Sequence, residues 1–518
     1  MRERPGHRGL RRPLVIAGVM GSVFLAAMES TVVATAMPTV IAHLGGIKIY
    51  SWVFSAFLLT STVSMPIWGR LADQLGRRRI CLTGMALFLV GSALAGLSQS
   101  MAQLVVFRAV QGLGAGSLIT IGMTIIGDLY ELDRRARMQG YFSGVWGVAS
   151  LVGPLLGGFL ADTVSWRWVF YINLPFGLLA AAAIAGGLPA GAVAGRRVAV
   201  DYPGMTIFTG AVSALLVGLV EAGRGASWWT PWVLGLLGLS AVLLLVFVVV
   251  ERRTAEPLIP LRLFANPMVR AAAATGLFSG MAMFGAIAYV PLFVQAVVGS
   301  TATQAGFVLT PFILGWVAFS ILGARIVLRF GYRGVVVAGM CALTGAFLLL
   351  NRWDASLTHL HAARDMVLAG VGMGLTFVPM LIAVQNAVPR ALLGSATSMT
   401  GFFRTVGGAV GVAVMGSVMA HRLQTELATL LATAPGALRT GLSEVVAHPD
   451  LVVNPATRGA LGAEVLGATR LAMADAVGSV FVVGLAICLL ALASAFLVPA
   501  GQASDLAAAQ EPAPSSRS

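Results

Sequence analysis

The segment Val233–Val250 runs for 18 residues without a charge, and Val477–Val498 for 22. Runs of this kind constrain the chain more than any other feature. A helix crossing a bilayer takes about 20 mostly apolar residues, and a barrel strand about 10 in alternation. These runs do not alternate, and in lipid only helices or closed barrels satisfy the backbone polar groups. They read as membrane helices. Fourteen can be drawn: 14–41, 50–70, 80–99, 102–127, 137–162, 167–189, 202–221, 231–250, 268–298, 303–329, 334–351, 363–388, 394–420 and 475–499. Charged residues make up 10% of the chain, against about 25% in soluble proteins. That excludes a soluble multidomain enzyme. The 58% hydrophobic content excludes a disordered chain, and the 62 glycines follow no collagen-like period.

The net charge of +14 invites a nucleic-acid reading, but its distribution favours another. Cytoplasmic loops of membrane proteins collect Lys and Arg. With the N-terminus inside, 22 of the 34 basic residues fall on the inner side, nine outside and three within spans. Both termini are then cytoplasmic, and no nucleic-acid partner is called for. Cys81, Cys341 and Cys488 all sit in apolar spans, with neither metal-ligand spacing nor a disulfide framework. The first span is too long for a signal-peptide core and reads as retained.

The two ends of the chain show a weak internal repeat. Pro38 and Gly46 close the first span, and Pro291 and Gly299 close the ninth with the same spacing. Arg70, Gly76 and Arg78 recur as Arg325, Gly331 and Arg333, 255 residues on. Repeats of this kind are a feature of transporters whose site lies between the halves near the midplane. The partition is a basic cytoplasmic N-terminus (1–13), a six-helix bundle (14–189), two inserted helices (202–250), and a second six-helix bundle (268–499). The second bundle carries an outer loop at 421–474 with the helix-compatible pieces Leu423–Ala434 and Ala460–Ala472, and a disordered cytoplasmic tail follows at 500–518.

An ionisable side chain at bilayer depth is a functional candidate by default. Of the 20 acidic residues, nineteen lie in tails, loops or span ends; the exception is Glu29, about fifteen residues into the first span, or about 22 Å along a helix. Burial of a carboxyl favours its neutral form, the property a proton carrier needs. A purely structural, hydrogen-bonded Glu is the competing reading. Arg108 and Arg404 are buried cations that can bias Glu29 or an anionic substrate, or can equally be ion-pair partners or snorkelling side chains.

Three further patterns matter. Gly69-Arg70-Leu71-Ala72-Asp73-Gln74-Leu75-Gly76-Arg77-Arg78-Arg79 closes span two, with Gly76 suited to a turn and Asp73 to capping a helix or pairing with an arginine. Such a contact, made in one conformer and broken in another, is a latch. Arg108-x-x-Gln111-Gly112-x-Gly114 lies in span four. Gly153-Pro154-Leu155-Leu156-Gly157-Gly158 lies in span five, where the proline can kink the helix and the glycines admit a close neighbour.

Together these motifs resemble those of the major facilitator superfamily (MFS), and within it the fourteen-span drug:proton antiporters, over about 14–499. Gly69–Arg79 is similar to the superfamily's cytoplasmic loop motif. Arg108 with Gln111-Gly112 resembles its fourth-span motif, linked in the family to proton transfer. Gly153–Gly158 resembles the fifth-span motif that marks exporters, with Ala149 where an earlier Gly is usual. Met28-Glu29-Ser30-Thr31-Val32-Val33, followed by Met37-Pro38, resembles the first-span motif, with Glu29 in place of the usual Asp. Trp166-Arg167-Trp168-x-Phe170-x-Ile172-Asn173-x-Pro175-x-Gly177 fits the span five-to-six junction. In the second copy of the loop motif Leu328 stands where Asp73 stands, which makes the latch one-sided.

The resemblance implies the MFS fold: an all-α polytopic membrane protein of two six-helix bundles and two inserted helices, in the cell membrane. It implies a multidrug-efflux antiporter, not an enzyme, that works by alternating access and functions as a monomer. It exports small amphipathic or cationic compounds, needs no cofactor beyond the proton as coupling ion, and holds no metal. Glu29 and Arg108 are then the proton-coupling pair. Gly69, Asp73, Gly76, Arg77 and Arg78 form the latch, and Gly153, Pro154, Gly157 and Gly158 the antiporter motif. Candidate cavity residues are Phe24, Trp52, Trp146, Phe284, Trp316, Phe403 and Arg404, with Phe278, Tyr289 and Phe402 beside them. The alternatives are a proton-coupled importer or symporter, and a narrow metabolite exporter. A channel is disfavoured by the intact loop motif, and an ATP-driven pump by the absence of a phosphate-binding Gly-x-x-x-x-Gly-Lys-Ser/Thr loop.

Overall fold

The computed structural model describes residues 11–44, 52–130, 132–189, 200–223, 228–299, 308–354, 356–447 and 462–500. They form α-helices with short connections, and no strand occurs among them. The N-terminal half holds α1 (Arg12–Leu44), α2 (Trp52–Leu75), α3 (Arg77–Gly96), α4 (Met101–Leu129), α5 (Leu132–Thr163), the one-turn α6 (Trp168–Tyr171) and α7 (Asn173–Gly187). Next come α8 (Tyr202–Gly223) and α9 (Pro231–Arg253). The C-terminal half holds α10 (Pro267–Phe293), α11 (Thr310–Leu350), α12 (His359–Ala387), α13 (Leu393–Thr433), α14 (Gly436–Ala447) and α15 (Ala463–Ala495). Among the described residues, 13 helices are long and apolar enough to cross a membrane. The fifth segment drawn from sequence is also helical, as the 32-residue α5, but is not one of those 13.

One sequence boundary matches the structure for a clear reason, and one differs from it. Spans ten and eleven are separate helical segments of α11, Thr310–Val327 and Arg329–Leu350, joined at a kink at Gly331, where φ is 73° and ψ 167°. The equivalent Gly76, between α2 and α3, has φ 93° and ψ 143°. Both conformations belong almost exclusively to glycine, so the repeated motif turns the chain at the same place in each half. Helix α13 continues 13 residues past the drawn end of its span, because Leu423–Thr433 keeps helical periodicity after the apolar run stops. At 41 residues it is about 60 Å long, twice the hydrocarbon thickness, so its end projects beyond the bilayer. The basic segment 1–10, the tail 501–518 and the loop piece 448–461 lie outside the described residues.

Apolar packing separates the two halves. One large buried cluster draws only on residues from Leu263 to Val498. Two others draw only on residues from Val15 to Ile184. A fourth joins Phe208, Val212, Leu216 and Leu219 of α8 and Phe247 of α9 to Val63 of α2 and to Met399, Phe402 and Val406 of α13. The inserted pair therefore lies along the seam between the halves. Polar contacts pin its ends. Leu258 N–H donates to Glu251 Oε1 at 3.1 Å and lies 3.4 Å from Asp201 Oδ2, and Ile259 N–H donates to Glu251 Oε2 at 3.2 Å. Trp228 Nε1 donates to Ser417 Oγ of α13 at 2.6 Å.

The halves meet directly at one end. A Cβ on Gly69 of α2 would lie 2.7 Å from Gly394 O of α13 and one on Gly140 of α5 3.1 Å from Ile321 Cα of α11. Gln385 Nε2 of α12 donates to Met123 O of α4 at 3.4 Å. This is the end where α2 turns into α3.

Candidate functional site

Glu29 lies in the middle of α1 and is wholly buried. The chain that surrounds it comes from five helices. Arg108 of α4, 1% exposed, forms an ion pair with Glu29 Oε1 through Nη1. Asn173, at the first turn of α7, donates from Nδ2 to Glu29 Oε2 at 2.6 Å. The same Asn173 Nδ2 reaches Ser92 Oγ of α3 at 2.9 Å, and Ser92 Oγ donates to Phe170 O at 2.8 Å. Gln111, one turn after Arg108, accepts from Arg108 Nη1 at 2.7 Å and donates to Ser92 Oγ at 3.1 Å. Arg108 Nε donates to Val53 O of α2 at 3.3 Å, and its guanidinium carbon sits 4.1 Å from the centre of the Phe57 ring. Both carboxylate oxygens thus have a strong donor, and the cation has oxygen acceptors and an aromatic face. A buried pair is tolerable only with this degree of satisfaction.

The sequence singled out Glu29 and Arg108, and the fold brings them together. Ser92 was missed, because a single Ser in a Gly/Ala-rich span carries no signal of its own. Asn173 was quoted only as part of a junction motif. It follows the one-turn α6 and is wholly buried at the first turn of α7.

Glycine 153 sets the approach of α5 to this site. A Cβ there would fall 2.0 Å from Thr31 Oγ1 and 3.3 Å from Met28 O, both within a turn of Glu29. Gly157 is buried on the same helix. Pro154 and Gly158 lie in α5, but their side-chain surroundings are outside the described residues.

The second constellation lies where the halves meet. Asp73 of α2 accepts from Gly394 N–H at 2.9 Å, Ser395 N–H at 2.8 Å and Ser395 Oγ at 2.9 Å. These are the first residues of α13, whose opening N–H groups have no helical partner. A carboxylate from the other half therefore caps α13 and meets the positive end of its dipole. Arg77 Nη1 holds Asp73 Oδ1 at 2.5 Å, and Arg77 Nε holds Asp128 Oδ2 of α4 at 2.9 Å. Gly69 lets the Ser398 side chain approach, and Arg70 Nη2 pairs with Glu256 Oε2 at 2.7 Å. Arg78 is half-buried and makes no ion pair among the described residues. Asp128 and Glu256 are partners that the motif alone does not reveal.

The aromatic candidates divide. Phe24, Trp52, Trp146, Phe284, Trp316, Phe403 and Arg404 are all half-buried. Phe402 lies 5.4 Å from Phe208 of α8 and so faces the inserted pair, whereas Phe403 packs edge-on to Phe264, in the turn after α9, at 6.0 Å. Tyr289 is tied to Val412 O at 2.9 Å. Arg404 turns the other way, its guanidinium carbon 4.3 Å from the centre of Phe377, whose ring meets Trp316 edge-on at 6.3 Å. Phe377 was not singled out by sequence. Among the described residues no cluster of metal-ligating side chains occurs.

Known proteins align along most of this chain. It is 36% identical to the multidrug transporter protein MdtP of Bacillus subtilis over 92% of this chain and 91% of that protein. It is 32% identical to multidrug resistance protein 3 of the same organism, over 91% and 92%. The efflux pump dotC of Dothistroma septosporum is 33% identical over 90% of this chain and 80% of the pump. Among solved structures, the human organic anion transporter MFSD10 superposes with a TM-score of 0.58 at 16% identity, over 94% of this chain and all of that one, which speaks for the fold. The sequence profile of the Major Facilitator Superfamily matches residues 19–412, and the chain belongs to that superfamily.

Proposed function

We propose that this transporter exports small amphipathic compounds in exchange for protons, with Glu29 as the proton-carrying group. The observation that carries the reading is a carboxylate sealed in the N-terminal half, paired with Arg108 and hydrogen-bonded by Asn173. The names of the relatives, multidrug transporter and efflux pump, support drug efflux as the direction and class. Protonation of Glu29 removes one charge of a buried pair and leaves Arg108 to find other acceptors. That is a differential free energy large enough to favour a second conformer. The α1–α5 contact at Gly153 and Thr31 lies within a turn of the same group, so a change there reaches the helix that also meets α11 in the other half.

The domain plan adopted is the one drawn from sequence: bundles at 14–189 and 268–499, an inserted pair at 202–250, fourteen spans, and both termini in the cytoplasm of a cell-membrane protein. On that orientation the end closed by Asp73 and α13 is cytoplasmic, and this conformer faces outward. No cofactor beyond the proton is required, and a monomer suffices. Everted vesicles with an imposed pH gradient test the proposal. Substrate-dependent proton movement should appear with the intact protein and vanish with Glu29→Gln. Undiminished coupled flux in that variant would remove Glu29 from the mechanism. Flux of substrate and proton in the same direction would replace antiport by symport.

A further inference from the structure

The C-terminal half contains a cation, Arg404, that makes no ion pair among the described residues. Arg404 is brought to its place by Gly276 and Gly280 of α10. A Cβ on Gly280 would lie 2.1 Å from Arg404 O, so only glycine lets the two backbones meet there. The site is about 16 Å along α13 from its start, near mid-depth. Its guanidinium lies over Phe377, yet its Nε is buried with no hydrogen-bond partner. Trp316 Nε1, on the ring that meets Phe377 edge-on, is likewise buried without an acceptor, and so is Ser320 Oγ one turn further along α11.

Among the described residues no free carboxylate answers these donors. Helices α10 and α11 contain no Asp or Glu. In α12 the single acid, Asp365, sits in the second turn and is held by Trp353 Nε1 and Arg364. In α13 the single acid is Glu426, 22 residues beyond Arg404 and paired with Arg422. The acids of α15, Glu464 and Asp475, are exposed, and Glu29 is fully committed to Arg108 and Asn173. Burying a charge without a partner costs several kcal/mol, and buried donors without acceptors add to that cost. Arg404 Nε, Trp316 Nε1 and Ser320 Oγ are three buried donors lacking acceptors, one of them on a cation, a set that an anionic group answers and a cationic one does not.

We infer that Arg404, Trp316 and Phe377 form a subsite for the anionic group of an aromatic substrate, so that amphipathic acids or zwitterions are carried in preference to cations. Arg404 and Ser320 meet the carboxylate, sulfonate or phosphate, and the Phe377 and Trp316 rings receive the adjoining apolar part. The inference rests on the export reading for its biological sense but not for its test, since binding is measured without a proton gradient.

The test is equilibrium binding of three matched probes to purified full-length protein in phosphatidylcholine nanodiscs: 1-naphthylacetate, 1-naphthylmethanol and 1-naphthylmethylammonium. The acetate should bind about 10-fold or more tightly than the ammonium. Arg404→Gln should erase that preference, and Arg404→Lys should keep part of it, because a point charge replaces the planar fork. Trp316→Phe keeps an aromatic face but removes the donor together with the five-membered ring, and should weaken the acetate about 3-fold more than it weakens the alcohol. It serves as the second variant should Arg404→Gln not yield folded protein. Equal binding of acetate and ammonium, or a preference untouched by both variants, would overturn the assignment. Loss of the preference on adding phosphatidylglycerol would assign the subsite to a lipid phosphate and overturn it as a substrate site. Failure of proton coupling in Glu29→Gln vesicles leaves these outcomes legible, and the reverse also holds.

Discussion

Arg108, wholly buried, and Arg404, half-buried with its Nε out of solvent, lie one in each half within the helical bundle, and they are treated in opposite ways. Arg108 has a carboxylate, a Gln carbonyl, a backbone carbonyl and an aromatic face. Arg404 has the aromatic face alone. The difference teaches where each half does its work. The N-terminal half supplies its own counter-ion and so can respond to a proton, which changes the pair from within. The C-terminal half leaves its cation for something that comes and goes.

The largest effect that would break this comparison is on stability. Arg108→Leu strands the buried Glu29 carboxylate, and removal of one member of a buried pair typically costs about 3–5 kcal/mol. Arg404→Leu removes a charge that has no partner, so it should leave the melting temperature unchanged or raise it. Thermal unfolding of both variants in detergent, without substrate, checks the contrast. The double change Glu29→Leu with Arg108→Leu should recover most of the loss. A destabilisation by Arg404→Leu equal to that of Arg108→Leu would mean that Arg404 has a structural partner.

Much of this contrast was legible before any fold was known, and its missing parts are instructive. Glu29 stood out because it is an isolated acid in an apolar span, and Arg108 and Arg404 for the same reason. Their partners did not, because Ser92, Asn173 and Phe377 are ordinary residues until three-dimensional packing brings them to a charge. The helices themselves were legible as apolar runs. Their ends were less so, since the extension of α13 depends on hydrogen bonding that continues where hydropathy falls. The buried Asp201 and Glu251 looked like loop or span-end acids. They are buried because the linker at Leu258 and Ile259 folds back onto them.

The internal repeat offers a second comparison with a smaller expected effect. Gly76 and Gly331 share a backbone conformation open to glycine, with φ of 93° and 73°. A Cβ on Gly76 meets no atom within 4 Å, so the cost of Gly76→Ala is backbone strain alone, about 1–3 kcal/mol. Gly331→Ala should cost a similar amount. Equal losses in thermal stability would show that both turns are built on conformation and not on packing. A marked inequality would mean that the two copies have diverged beyond their shared geometry.

The two copies differ most at Asp73, whose counterpart is Leu328, and this yields the smallest effect. Asp73→Asn keeps one carbonyl acceptor for the α13 N-terminus but loses the charge that Arg77 and the helix dipole both favour. The contact exists only while this end is closed, so the loss falls on that conformer alone, by about 1–2 kcal/mol. The population open at this end should rise about 5- to 30-fold from whatever it is in the parent. Spin-label distances between the end of α2 and the start of α13 would report the shift, with Glu29 and Arg108 left intact. An unchanged distance distribution would show that apolar packing at Gly69, Gly140 and Gly147 closes this end without help from the carboxylate.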